Sequence, residues 1–256
     1  MLYKIFTLPS SIEWCEKNYI YSPYIAEFWN TISGSILCLS SLMFYYFYIN
    51  NVKEYNKHIY NANYWLFIVG VGTILFHGSL LYIFQLLDEI PMLLITIEYM
   101  KLNIKIGEEL HIQNDIFNNA KLFVKIYIPL IFCIISSYYI YPQLQSFIFM
   151  IAFAYSVIIV FFQMKKIQER LHLILNNSLN YNYNGSKKNR NRLVKNLSML
   201  TMFIFVSSLI IWISDSLFCK YFEIYKLHAI WHVLTSIGIY LCNVIMNMHV
   251  QFIKLS

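Results

Sequence analysis

The chain is written in long apolar blocks separated by short polar ones. Blocks of roughly 20 residues, the length that crosses a hydrocarbon core, fall at about 25–49, 63–84, 86–106, 121–141, 144–164, 195–218 and 226–248. Read as helices, they predict a seven-span, all-α integral membrane protein, and little chain is left for a soluble domain. Two joints are minimal, around Gln85 and around Pro142-Gln143. Spans two and three, and spans four and five, are therefore expected as tight antiparallel hairpins, with Pro142 standing where a helix should break. Composition agrees: 59% of residues are hydrophobic, 12% are charged and the mean hydropathy is +0.53, whereas a soluble domain carries about a quarter of its residues charged.

Charge sets the orientation. With the N-terminus outside, every Lys and Arg except Lys4, Lys17, Lys220 and Lys226 falls on the inner side, as the positive-inside rule requires. The expected topology places the N-terminus in the lumen and the C-terminus in the cytosol. Residues 1–24 lack the continuous apolar core of a cleavable signal, so the first span is expected to direct insertion. They form a lumenal segment, residues 25–248 the membrane domain and residues 249–256 a cytosolic tail. Residues 163–196 are expected as a basic cytosolic loop, disordered in part around the low-complexity patch 176–184 and able to touch anionic lipid. On that side the sequons at Asn176, Asn184 and Asn196 are not glycosylated. Membrane lipid is the expected surrounding and no nucleic-acid partner is expected.

Candidate chemistry is sparse, and it gathers at one depth. His228 and His232 are four residues apart at the start of the last span, so a helix stacks them on one face. Such a pair is either incidental or two ligands of one ion, and ionisable groups inside a membrane are costly enough to point to function. Topology brings His77, Asp88 and Asp215 to the same outer level. His58, His111, His172 and His249 fall at or near the cytosolic side. Three imidazoles leave one position of a tetrahedral zinc open, as in catalytic sites, where the metal brings its bound water toward neutral pKa. Asp215 is a candidate partner for a histidine ligand.

Plainer roles exist for each neighbour. Thr73, four before His77, either shares its face or bonds back to its own helix. Asp88 and Glu89 also suit a helix N-terminus, with Pro91 in the first turn. Gly70 and Gly72 are expected to permit close helix packing. Glu98 is expected to face the interior and has no assigned role, and spans four and five read as lipid-facing walls or an acyl pocket.

The lumenal segment collects Glu13, the Trp14 carbonyl, Glu16, Asn18 and Glu27. These oxygens either suit a hard cation such as calcium or belong to a solvated stretch anchored by Trp14 and Trp29. No EF-hand pattern is present. Of the five cysteines, only Cys15 and Cys219 are expected to face the lumen, where disulfides form. Cys38, Cys133 and Cys242 lie within spans as small apolar residues.

Residues 13–19 (EWCEKNY), 25–30 (IAEFWN), Phe76-His77, 85–92 (QLLDEIPM), Asp215 and 228–232 (HAIWH) together resemble the alkaline ceramidases. That family sits in a larger group of seven-helix membrane hydrolases that includes the adiponectin receptors. The resemblance covers nearly the whole chain and is weakest in spans four and five and the basic loop. It implies a zinc amidase of the endoplasmic reticulum or Golgi membrane that cleaves ceramide to a sphingoid base and a fatty acid. By that resemblance His77, His228 and His232 are the zinc ligands and Asp88 handles the proton of the attacking water. Thr73 stands where the family has serine, so a hydroxyl remains to polarise the amide oxygen. Calcium maps to Glu13, Trp14, Glu16, Asn18 and Glu27, with Glu13 in place of an aspartate, and the resemblance supports a Cys15–Cys219 disulfide. Two other functions stay open: a related seven-helix hydrolase of another lipid, and a receptor or scaffold holding zinc structurally.

Overall fold

The computed structural model describes residues 7–48, 56–177 and 184–255. These residues form long helices, α1 (Phe28–Tyr48), α2 (Asn56–Ser79), α3 (Tyr82–Glu109), α4 (Asp115–Ser137), α5 (Pro142–Asn177), α6 (Asn184–Leu217) and α7 (Leu227–Leu255). A helical turn at Cys219–Phe222 and a 3-10 turn at Glu223–Tyr225 link α6 to α7. Six of the long helices are apolar and long enough to cross a membrane; α3 is not among them. The chain is an integral membrane protein.

The exception has a physical cause. Asp88, Glu89, Glu98, Lys101 and Lys105 lower the hydropathy of α3, yet Asp88, Glu89 and Glu98 are buried in the bundle. Glu98 faces inward as expected, and it has partners that its spacing did not reveal. It accepts from His58 Nδ1 at 2.6 Å and from Lys101 Nζ at 3.0 Å. The outer faces of the bundle are apolar, as Phe132, Ile140 and Phe203 illustrate, and such faces suit lipid.

Several helix limits differ from the expected ones. The first hairpin turns at Leu80-Leu81, five residues before Gln85, because the N-terminal segment fixes the backbone there. Ser10 donates to the Leu80 carbonyl and Tyr82 to the Leu8 carbonyl, each at 2.9 Å. Leu80 takes a left-handed φ of 55° to make the turn. Consequently Asp88, Glu89 and Pro91 lie well inside α3, not in its first turn, and the helix-dipole account of the two acids fails. α1 begins at Phe28 because Ala26 and Glu27 spend their amides on the carbonyls of Gly78 and His77. α4 begins six residues earlier than expected, where the Asn114 side chain accepts from Ile116 N at 3.0 Å as an N-cap. Pro142 opens α5, as the minimal second hairpin requires. The stretch 163–196 is helix on both sides, since α5 runs on to Asn177 and α6 starts at Asn184. Of the low-complexity patch 176–184, around which disorder is expected, residues 178–183 lie outside the described residues.

Within the bundle α2 packs against α1 and α3, and α7 against α1 and α6. Gly72 makes the tightest approach of backbone to backbone. A Cβ there would lie 2.5 Å from the carbonyl carbon and oxygen of Leu87 and 2.6 Å from Asp88 N. Pro91, four residues on, lacks the N–H that would otherwise bond that Leu87 carbonyl, so α3 presents a bare peptide to α2. Gly72→Ala is expected to destabilise the fold by about 1–3 kcal/mol. Gly78→Ala, whose Cβ would meet nothing nearer than 3.9 Å, should not. Thermal unfolding of the two variants in detergent checks the contrast.

Candidate active site

α2 and α7 bring three histidines to one buried point. His77 lies near the end of α2, and His228 and His232 occupy the first two turns of α7. One ring nitrogen from each lies within 4.8 Å of the others. All three side chains are buried, so solvent cannot satisfy them.

Hydrogen bonds on the far side of two rings decide which nitrogen is presented. His77 Nδ1 lies 2.5 Å from Glu27 Oε2, and His232 Nδ1 lies 2.6 Å from Ser33 Oγ. Glu27 is an acceptor, so His77 donates from Nδ1 and leaves the lone pair on Nε2. Ser33 gives its own proton to the Asn30 carbonyl at 2.8 Å, so it too accepts from the ring. The nitrogens left without any hydrogen bond are His77 Nε2, His232 Nε2 and His228 Nδ1. Three buried imidazoles, each with an unpaired nitrogen and each offering a nitrogen within this separation, fit a metal ion with nitrogen ligands.

His228 is held by stacking. Trp14 lies on it with ring centroids 3.8 Å apart and Trp231 lies 5.1 Å away. Trp14 belongs to the N-terminal segment, which is tied down beside the site. Its backbone N–H donates to Glu27 Oε1 at 3.3 Å, and the next residue, Cys15, is disulfide-bonded to Cys219.

Asp88, on α3, is buried and hydrogen-bonded to α2. Its Oδ1 accepts from Thr73 Oγ1 at 2.6 Å. Thr73 is also 2.9 Å from the Val69 carbonyl, and its one proton serves one acceptor at a time. Both expected roles of Thr73, facing the site and bonding back to its helix, are thus present in the geometry.

Asp215 departs from expectation. Its carboxylate accepts from the backbone N–H groups of Cys15, at 3.4 Å, and His228, so it braces the start of α7 and the N-terminal strap and does not touch an imidazole ring in these contacts. The expected calcium residues also spread out. Glu13 and Asn18 are exposed. Glu16 accepts from the amides of Trp29 and Asn30, each at 2.9 Å, capping α1, while Glu27 backs His77 and takes Asn30 Nδ2 at 2.8 Å. Among the described residues the histidine trio is the one group of three or more His, Cys, Asp or Glu side chains close enough for a metal. Glu16 and Glu27 instead spend their oxygens on N–H donors.

The family model described as Ceramidase matches residues 7–254. The chain belongs to the ceramidase family. It is 30% identical to alkaline ceramidase YPC1 of Saccharomyces cerevisiae over 96% of this chain and 78% of that protein. Alkaline ceramidase 1 of Mus musculus is 25% identical over 89% of this chain and 76% of its own length. An alkaline ceramidase of Arabidopsis thaliana shares 38% identity over a shorter region, 36% of this chain and 35% of that protein.

In this ceramidase-family chain the sequence pattern located the three histidines and Asp88 but missed Ser33 and the contact of Glu27 with His77. Ser33 lies 199 residues from His232, and a serine in an apolar span gives no signal of what it touches. Replacing Ser33 by alanine is expected to weaken divalent-metal affinity by about 10- to 100-fold with helix content unchanged. Metal content after competition with a graded chelator measures it.

Proposed function

We propose that this protein hydrolyses the amide bond of ceramide, giving a sphingoid base and a fatty acid, with zinc held by His77, His228 and His232. The observation that carries the reading is the set of three unpaired, buried ring nitrogens, in a chain whose family relatives are alkaline ceramidases. When bound, zinc on three protein ligands would supply a Lewis acid and a water of lowered pKa at its open position. The chain's own residues then handle orientation and protons. Glu27 and Ser33 hold two imidazoles in the tautomer that presents Nε2. Asp88 is the general base: Oδ1 is fixed by Thr73, Oδ2 accepts the proton of the attacking water, and the same proton passes to the departing amine. Thr73 can release Asp88 only by turning its hydroxyl, and that proton is then available to the amide oxygen of the substrate.

Calcium is the proposed second ion, on Glu13, the Trp14 carbonyl, Glu16, Asn18 and Glu27. Support comes from burial: Glu16 and Glu27 are buried carboxylates of the lumenal segment, and buried carboxylates favour a hard cation nearby. The disulfide fits an oxidising lumen, in line with the endoplasmic reticulum or Golgi as the membrane of residence.

Ceramide turnover by purified protein is expected to vanish in His77→Ala and His232→Ala. In Asp88→Asn it should fall by about 10²- to 10⁴-fold with zinc still bound. A zinc-selective chelator should abolish turnover in a way that calcium does not reverse, while calcium removal alone should lower it and calcium return restore it. Turnover of phospholipid but not ceramide would assign the site to another lipid, and zinc retention without turnover of either would favour a receptor or scaffold.

We further propose that α3 is the seventh span and that the N-terminus is lumenal. At 28 residues α3 is about 42 Å long, more than a hydrocarbon core needs, and Asp88, Glu89 and Glu98 are turned inward. A glycosylation sequon appended to the N-terminus should be modified in cells. One placed after Ser256 should not, and the reverse pattern would invert the topology.

A further inference from the structure

Buried side-chain atoms without a hydrogen bond fall in two regions, the histidine site and the opposite half of the bundle. In the second region three side chains stand out. Asn103 on α3, Gln163 on α5 and His249 on α7 are each at most 1% exposed. Both polar atoms of each, six in all, have no hydrogen-bond partner.

These residues share one level. α3 and α5 run in the same direction, with Gln85 bonded to Gln145 near their starts and the Leu110 carbonyl accepting from Arg170 Nε near the other end. Both contacts join residues 60 apart in sequence, and Asn103 and Gln163 keep that same offset. α7 is parallel to both, and Tyr99 donates to Asn243 Oδ1 at 2.8 Å. Carried down α7, that pairing sets His249 within about one helical turn of the level of Asn103. The residues beside them in sequence, Leu102, Ile106, Met164, Ile167, Met246 and Val250, all belong to the buried apolar core of the bundle. Asn103 lies about 22 Å from Asp88 along α3.

Unpaired buried polar atoms are rare in proteins and costly. Their chemistry identifies what completes them. Two carboxamides and a neutral imidazole each offer at least one donor and one acceptor, and the trio contains no carboxylate to attract a metal cation and no ammonium or guanidinium to attract an anion. We propose that Asn103, Gln163 and His249 form a second buried site that binds a neutral hydrogen-bonding oxygen ligand, supplied either by ordered water or by the hydroxyl of a lipid reaching in from the inner leaflet. Asn243, whose Nδ2 is also unpaired, lies on the side of this site nearer the histidines. The site stands independently of the reaction at the outer end.

The test is thermal unfolding of the full chain in detergent. Asn103→Leu, Gln163→Met and His249→Leu each remove one side of the ligand's hydrogen bonding and leave the rest unpaired. Each should lower the midpoint by at least about 2–4 °C. His249→Gln keeps a donor and an acceptor and should restore most of the loss. Asn103→Leu combined with His249→Leu should be non-additive, because both act through the shared ligand. An unchanged or raised midpoint in the apolar variants would overturn the site, since removing polar groups that bind nothing relieves their desolvation cost. If one apolar variant fails to accumulate, the other two positions and His249→Gln carry the same comparison. Native mass spectrometry separates the two sources. A lipid adduct lost in Asn103→Leu assigns a lipid hydroxyl, and a lowered midpoint with no adduct in either protein assigns water.

Discussion

The hydrogen bond from His77 Nδ1 to Glu27 Oε2 ties together more of this molecule than any other single contact. It joins α2 to the residue that precedes α1, and Glu27 at the same time accepts from Trp14 N and Asn30 Nδ2. Through Trp14 the N-terminal segment reaches the face of His228, and through Asn30 and Ser33 the start of α1 reaches His232. One buried carboxylate therefore connects the supports of all three histidines. Inside an apolar bundle this economy is imposed, because each polar group that enters must find a partner there.

The same constraint explains why the N-terminal segment is ordered. Its amides and carbonyls are spent on the turn between α2 and α3, on Gly78 and His77, and on Asp215. The disulfide to Cys219 then fixes it to the α6–α7 link. Beside it, Ser11 enters a buried network with Gln85, Gln145 and Ser146, to which Glu89 is bonded through both glutamines. Two adjacent acids of α3 thus have different employment: Glu89 is saturated by carboxamides, while Asp88 keeps one oxygen outside its hydrogen bond to Thr73.

Buried polar atoms mark where such accounting is incomplete. At one end of the bundle His77, His228 and His232, each with an unpaired nitrogen, converge in an arrangement that could hold a metal. Toward the other end the unpaired groups are carboxamides and an imidazole, on α3, α5 and α7. The two regions differ in kind because the first is backed by a carboxylate and a hydroxyl that orient rings, and the second has no such support.

By itself the sequence determined the all-helical membrane class of fold, the approximate helices and the histidine trio. Hydrophobic blocks of bilayer length leave few alternatives, and His77, Asp88, His228 and His232 stand out because ionisable residues are rare in such blocks. It also singled out Cys15 and Cys219, since charge asymmetry sorts cysteines by side. The tertiary structure decided what each polar group touches. The hairpin turn lies at Leu80 and not at Gln85 because a segment 70 or more residues earlier in the chain holds it. Asp215 braces backbone amides, Glu16 caps a helix, and Ser33 orients His232. Hydrophobic periodicity is a local signal that survives in one dimension, whereas a hydrogen bond in a membrane bundle depends on which helices pack together and at what register, and no stretch of the chain records that alone.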